Sequence, residues 1–138
     1  MFTVTRYHDI STGHRVFGHE SKCAHFHGHN YRVHFECNSA GLDALGRVID
    51  FSAIKDRLCM WLEDHWDHRF LMWERDTALE AMRTLDDHVV SVPFNPTAEN
   101  MAQFLVEVIG PLQLEGTGIE LKRVRIEETA KCHAAYTL

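Results

Sequence analysis

Within seven residues the sequence sets one thiol and three imidazoles, Cys23-Ala24-His25-Phe26-His27-Gly28-His29, and Asn30-Tyr31 then lead into an alternating run. Side chains two apart on a strand share a face, so His27 and His29 can reach one ion, and Tyr31, Val33 and Phe35 continue that face. A third ligand must come from elsewhere, and His14 is the candidate. Three neutral imidazoles leave a fourth position on Zn2+ for water or substrate, the arrangement of a catalytic rather than a closed structural site. His25 shares the parity of His27 and competes with it as a ligand. Cys23 has three readings: a fourth zinc ligand, a general base whose pKa a nearby dication would lower, or a small buried residue. His8, His19, His34, His65, His88 and His133 read as structural or surface residues.

Three further groups carry chemistry. In Asp64-His65-Trp66-Asp67-His68 an aspartate beside a histidine can hold one imidazole tautomer and raise its basicity, giving a proton donor or acceptor. Glu128 shares a face with Val124 and Ile126, and a carboxylate ending an apolar face demands a partner. Arg15 and Lys22 could present a local positive pocket to a small anionic substrate even on an acidic chain.

The chain has 138 residues, a length for one domain spanning 1–138, of which about two-thirds of the unfolded surface can be buried. A net charge of -6 argues against a phosphate-backbone footprint, so no nucleic acid is expected as a partner. There is no apolar run for a membrane span and no secretory leader pattern, which makes the cytoplasm the expected location. Cys23, Cys37, Cys59 and Cys132 are widely spaced and suit reduced thiols.

The elements that must position these groups follow from periodicity. Residues 2 to 10 read as a first strand, with Ser11-Thr12-Gly13 as a turn or bulge that re-aims His14, and 15 to 22 as a loop. Tyr31 to Cys37 alternates as a half-buried antiparallel strand. A helix capped by Asp50 or Ser52 carries Phe51, Ile54, Leu58, Trp61 and Leu62 and ends near Trp66. Asp76 to Leu85 has a weaker helical stripe, and Val89 to Phe94 reads as extended. Asn95-Pro96-Thr97 opens a second strong helix with a stripe of Met101, Phe104, Leu105, Val108 and Leu112 and Gly110-Pro111 as its break. Ile119 to Glu128 is a strand with a bulge near Lys122-Arg123, and Ala134, Tyr136 and Leu138 make a last short strand. Both strong helices have one apolar face and should pack on one face of a sheet.

Taken together, Gly13-His14-Arg15, Cys-x3-His-Gly-His-Asn at 23 to 30, Val48-Ile49-Asp50-Phe51, Asp67-His68 with Leu71, Pro96-Thr97-Ala98-Glu99-Asn100, Glu128-Thr129 and Tyr136 resemble the 6-pyruvoyl/6-carboxy-tetrahydropterin synthase family. The resemblance implies an α+β tunnelling fold: a four-stranded antiparallel sheet with helices on one face between strands 2 and 3. Oligomerisation joins such sheets into a barrel, commonly as a homohexamer built from two trimers, with active sites between subunits. It implies Zn2+ on His14, His27 and His29, Cys23 as base, Asp67-His68 as its relay partner, Glu128 gripping the pterin, and backbone near Thr97 and Ala98 at the pterin's amide edge. Cys-x3-His-Gly-His resembles the bacterial carboxy-tetrahydropterin synthases of the queuosine and 7-deazapurine route, whereas the animal pyruvoyl enzymes resemble Cys-x5-His-Gly-His; Phe26 stands where a glutamate would suggest the folate-bypass branch. The implied reaction converts dihydroneopterin triphosphate to 6-carboxytetrahydropterin, releasing acetaldehyde and triphosphate. The alternatives are a 6-pyruvoyl-tetrahydropterin synthase and a non-catalytic zinc-binding homologue. The chain departs from the family at Trp66, where Leu is usual, at Met72, where Asn is common, and in the added length of residues 73 to 94.

Overall fold

The computed structural model describes residues 1–138. Alternation along the first segment builds a long strand, β1 (Phe2–His14), which pairs antiparallel with β2 (His27–Ser39) from Phe2 opposite Ser39 to His14 opposite His27 without a register break. The strand therefore does not end at Ile10. Ser11, Thr12 and Gly13 are turn-forming types, but each is satisfied by the chain that follows the first helix: Ser11 N–H by the Asp67 carboxylate, the Thr12 hydroxyl by the Trp66 carbonyl, and Gly13 N–H by the Arg69 carbonyl. Gly13 needs its missing side chain, because a Cβ there would collide with the Phe70 ring. His14 is thus aimed by strand alternation rather than by a bulge, with Ile10, Thr12 and His14 buried in succession.

The sheet has six strands in the order β4-β3-β1-β2-β5-β6, which corrects the expected four. Its antiparallel part is the expected one: β1, β2, β5 (Glu120–Thr129) and β6 (Cys132–Thr137). Two short strands, β3 (Phe70–Trp73) and β4 (Val89–Val92), add in parallel at the edge of β1. Buried parallel strands of four residues show no alternation, so periodicity did not reveal β3. The bulge on β5 falls at Lys122, where the pairing jumps from Glu36 opposite Arg123 to Cys37 opposite Leu121. A second irregularity between Glu127 and Thr129 puts Glu128 in a bulge against β6.

Helix α1 spans residues 51–65 and α3 residues 98–113; α2 (Leu79–Leu85) lies in the longer connection between β3 and β4. The Asp50 side chain caps α1 by accepting from Ser52 N–H, and the Thr97 hydroxyl caps α3 by accepting from Asn100 N–H. Gly110-Pro111 does not end α3. A wider i→i+5 turn at Leu105–Ile109 precedes Pro111, where a regular helix would suffer from the proline's ring and missing N–H. Both long helices cover the same face of the sheet, and Tyr31, Phe35, Ile54, Leu58, Met101 and Leu105 are among the residues of that shared core. The opposite face carries Tyr7, Asp9 and Arg32, exposed to solvent, with an Arg32–Asp9 ion pair. No helix is long and apolar enough to cross a membrane.

Gly110 lets α3 touch β5, since a Cβ there would meet Leu121 Cβ at 2.8 Å. Overpacking of this kind costs about 1–3 kcal/mol, and replacing a helical glycine by alanine recovers about 1 kcal/mol. Gly110→Ala is therefore expected to lower the midpoint of denaturant unfolding; a raised midpoint would show that the helix shifts freely on the strand.

Candidate functional site

The β1–β2 register brings three imidazoles to one face. His14 is the cross-strand partner of His27, and Thr12 is that of His29, so the side chains at 14, 27 and 29 converge with donor atoms all within 4.8 Å of one another. His14 Nδ1 lies 2.6 Å from the Pro96 carbonyl oxygen and His27 Nδ1 2.7 Å from that of His25. A carbonyl only accepts, so each Nδ1 carries a proton and each Nε2 is left as a lone pair. The two Nε2 atoms face one another at 3.1 Å. A hydrogen bond between them would need an imidazolium, and burial, opposed in part by the Pro96 carbonyl, lowers the His14 pKa to about 4. Convergent lone pairs without a proton between them are a site for a cation, and second-nitrogen donation to a carbonyl is how proteins orient metal-binding histidines.

His29 completes the set. Its Nε2 is buried without a hydrogen-bond partner, and Glu128 Oε1 stands 3.4 Å away. Burial lowers its pKa against the pull of the Glu128 charge. The Tyr31 ring packs edge-on to both His14 and His29, and its buried hydroxyl, also unpartnered, has its pKa raised by burial and by the charges of Glu128 and Cys23. The three-imidazole donor set suits Zn2+. His25, despite its parity, precedes the start of β2 and contributes its carbonyl rather than its ring.

Cys23 sits half-buried in a single 3-10 turn, Lys22–Ala24, with its carbonyl held by Val16 N–H at 2.8 Å. Its thiol is not among the donor atoms that cluster within 4.8 Å. Glu128 lines a small cavity with Ala98, Glu99 and residues 132–134 of the β5–β6 hairpin. Thr97 and Ala98 form the start of α3 beside it, and Ala98 is buried. Glu99, the fourth residue of Pro96-Thr97-Ala98-Glu99-Asn100, is a second carboxylate on this cavity. Nothing in the sequence marks this glutamate, because an acidic residue in a first helical turn is ordinary.

Asp67 and His68 are built as a pair but elsewhere. His68 Nδ1 meets Asp67 Oδ2 at 2.8 Å, and the other Asp67 oxygen accepts from Ser11 N–H at 2.8 Å. Ser11 N–H and C=O both engage this pair, the carbonyl accepting from His68 N–H at 2.7 Å, with His68 at a φ of 55°. The imidazole is 81% exposed. It lines a polar groove with Asp9, Asn30, Arg32 and Glu127, on the sheet face opposite the three histidines. One chain therefore does not bring His68 to Cys23.

Arg15 does not form the expected positive pocket, and the two departures from the family, Trp66 and Met72, find a role in packing. Arg15 is bound by the buried Asp76 and offers no free positive charge to an anionic substrate, while Lys22 is exposed. Trp66 is a core residue stacked on Phe104, and Met72 is buried with Leu79 and Val89. Both unusual residues serve packing and leave the Asp67-His68 hydrogen bond intact.

A family model described as 6-pyruvoyl tetrahydropterin synthase matches residues 3–138. The 6-carboxy-5,6,7,8-tetrahydropterin synthase of Rickettsia bellii is 32% identical over 136 residues, spanning 96% of this chain and 97% of that protein. The protein of the same name from Haemophilus influenzae is 31% identical over 114 residues, 76% of this chain and 79% of its own. Among solved structures, an uncharacterized protein from Wolinella succinogenes superposes with a TM-score of 0.87 at 22% identity, covering 99% of this chain and 97% of that one. The 6-pyruvoyl tetrahydropterin synthase of Caenorhabditis elegans gives 0.72 at 24% identity, covering 99% and 95%. At these identities the two structures speak for the fold alone.

Metal-free protein titrated with Zn2+ should bind one ion per chain, with a stabilisation of about 2.7 kcal/mol at a free concentration a hundred times the dissociation constant. His27→Ala should lose the ion, and Cys23→Ala should keep it at full stoichiometry. Elemental analysis with thermal melts checks this; loss of zinc from Cys23→Ala would make the thiol a ligand.

Proposed function

The chain belongs to the 6-pyruvoyl tetrahydropterin synthase family, and from that premise we propose that it is a zinc-dependent lyase converting dihydroneopterin triphosphate to 6-carboxytetrahydropterin, with release of acetaldehyde and triphosphate. The observation that carries the reading is the histidine triad, whose lone pairs converge without the Cys23 thiol among the clustered donors. The names of the relatives, at about the same identity over most of the chain, support the carboxy product, as does Cys-x3-His-Gly-His.

His14, His27 and His29 would hold the Zn2+, which when bound supplies Lewis acidity to the hydroxyls of the substrate side chain. The Cys23 thiolate takes the carbon-bound proton. Thr97 and Ala98 offer backbone groups to the pterin's amide edge. Glu128 grips the pterin, its planar carboxylate suited to two parallel hydrogen bonds from the guanidine-like edge of the ring, and it lies 3.4 Å from His29. Glu99 is a second carboxylate on the same cavity.

Asp67 and His68 act from a neighbouring copy, His68 moving protons on the opposite side of the substrate from Cys23. The division of the groups between two sheet faces supports this, and so does the unpaired outer edge of β6, which needs covering. The reading includes trimers that close their sheets into a barrel, two trimers to a hexamer, and a cytoplasmic role in making queuosine and other 7-deazapurines.

Incubation with dihydroneopterin triphosphate should yield acetaldehyde and the carboxy product; a pyruvoyl product without acetaldehyde would make the chain a pyruvoyl-tetrahydropterin synthase, and no turnover by zinc-loaded protein a non-catalytic homologue. Cys23→Ala and His68→Ala should each lower turnover by about 100-fold or more. Refolded together, they should recover roughly a quarter of wild-type sites, the share expected in randomly mixed cyclic trimers when each site draws on two neighbours. No recovery would mean that each site lies within one subunit.

A further inference from the structure

The loop that carries Cys23 is closed on itself by a few short-range hydrogen bonds and is fastened to the rest of the molecule through residues 15 to 17. Its ends are Arg15, directly after β1, and Phe26, directly before β2. Between them Val16 N–H binds the Cys23 carbonyl at 2.8 Å, so the main chain of the thiol residue hangs from residue 16. The two neighbours of Val16 are both tied to the segment around 73–95. Phe17 exchanges two hydrogen bonds with the Asn95 side chain, at 3.0 and 2.9 Å, and its ring meets Trp73 edge-on. Arg15 forms a two-point ion pair with Asp76, whose side chain is 1% exposed and also caps Ala78 N–H at 2.8 Å.

The same guanidinium gathers both ends of the loop, lying 5.4 Å from the Phe17 ring centroid and 4.9 Å from that of Phe26. Phe26 in turn packs on Phe70 of β3. Burial alone would raise the Asp76 pKa, but the Arg15 hydrogen bonds and the Ala78 N–H outweigh it and keep the carboxylate charged below its usual range. A charged pair inside this packing is directional in a way that apolar contact is not, because the half-buried guanidinium and the buried carboxylate each lose a charge-assisted partner when the other is removed.

We propose that Asp76, through Arg15, positions Cys23, and that the segment 73–95 is a clamp on the thiol's loop. Asp76 and Arg15 are positioning residues that touch no reacting atom. The proposal rests on Cys23 acting as the base.

The test compares zinc-loaded Asp76→Asn with wild type. The amide can still cap Ala78 but loses the charge, so the fold is expected to persist. The turnover number should fall on the order of tenfold, as misplacement of a catalytic group does, with KM within about twofold and zinc content unchanged. Hydrogen exchange, followed by mass spectrometry, should accelerate in the peptide covering residues 15–26 and not in peptides from the β2–β5 pair. Asp76→Glu, which restores the charge, should recover part of both effects. Should Asp76→Asn not fold, Arg15→Gln is measured in its place with the same expectations. Unchanged turnover, unchanged exchange in the loop, or faster exchange throughout the sheet would each overturn the clamp, the last by making the pair a matter of global stability. Full turnover by Cys23→Ala would instead overturn the thiol's role and the catalytic half of the proposal, while loop exchange in Asp76→Asn would still decide whether the clamp exists.

Discussion

Everything at the site depends on the unbroken pairing of β1 with β2. Side chains alternate with a period of two, so a slip of one residue would carry His27 and His29 to the face opposite His14 and scatter the donors. The register is held at both ends by different means. Toward the far end Tyr31, Val33 and Phe35 must face the helices, and near the site Ser11, Thr12 and Gly13 are tied to the chain leaving α1. The buried core thus sets the geometry of a polar site that could not have paid for its own burial.

That constraint also divides the chemistry. Even-numbered residues of β1 and odd-numbered residues of β2 face the core and the histidine triad; their neighbours in sequence face the uncovered side, where Ser11 holds Asp67 and His68. A strand offers both faces at once, so one short stretch can support two half-sites that never meet within a chain. The sheet ends at an open β6 edge, and the face that carries Asp9 and Arg32 is polar and uncovered.

The loop between the two long strands is the soft part of this scheme, since a half-buried thiol in one 3-10 turn has little secondary structure to locate it. Around it the protein sets an ion pair, two side-chain hydrogen bonds from Asn95 and a chain of aromatic contacts. Arg15 shows the difference between charge in a sequence and charge available to a ligand. Its guanidinium is used internally, and nothing about its position next to His14 reveals that Asp76, 61 residues away, has taken it.

Much was legible in the residues themselves. Alternation assigned His27 and His29 to one face with Tyr31, the helical stripes gave α1 and α3 with their caps near Asp50 and Thr97, and the parity change at Lys122-Arg123 marked a real bulge. These are local properties, set by the period of each element and by capping chemistry within a few residues. What needed tertiary structure was long-range pairing. Ser11-Thr12-Gly13 stay in a strand because partners more than fifty residues on complete their hydrogen bonds, and β3 and β4 exist because they pair with each other and with β1. Which donors cluster was likewise decided in space: the ring of His25 is kept out by where β2 begins, the Cys23 thiol does not join the three imidazoles, and the tautomers of His14 and His27 are set by the carbonyls of Pro96 and His25. Sequence determines which groups can face together, since that follows from local periodicity; only the fold decides which of them meet, since that follows from contacts between segments far apart in the chain.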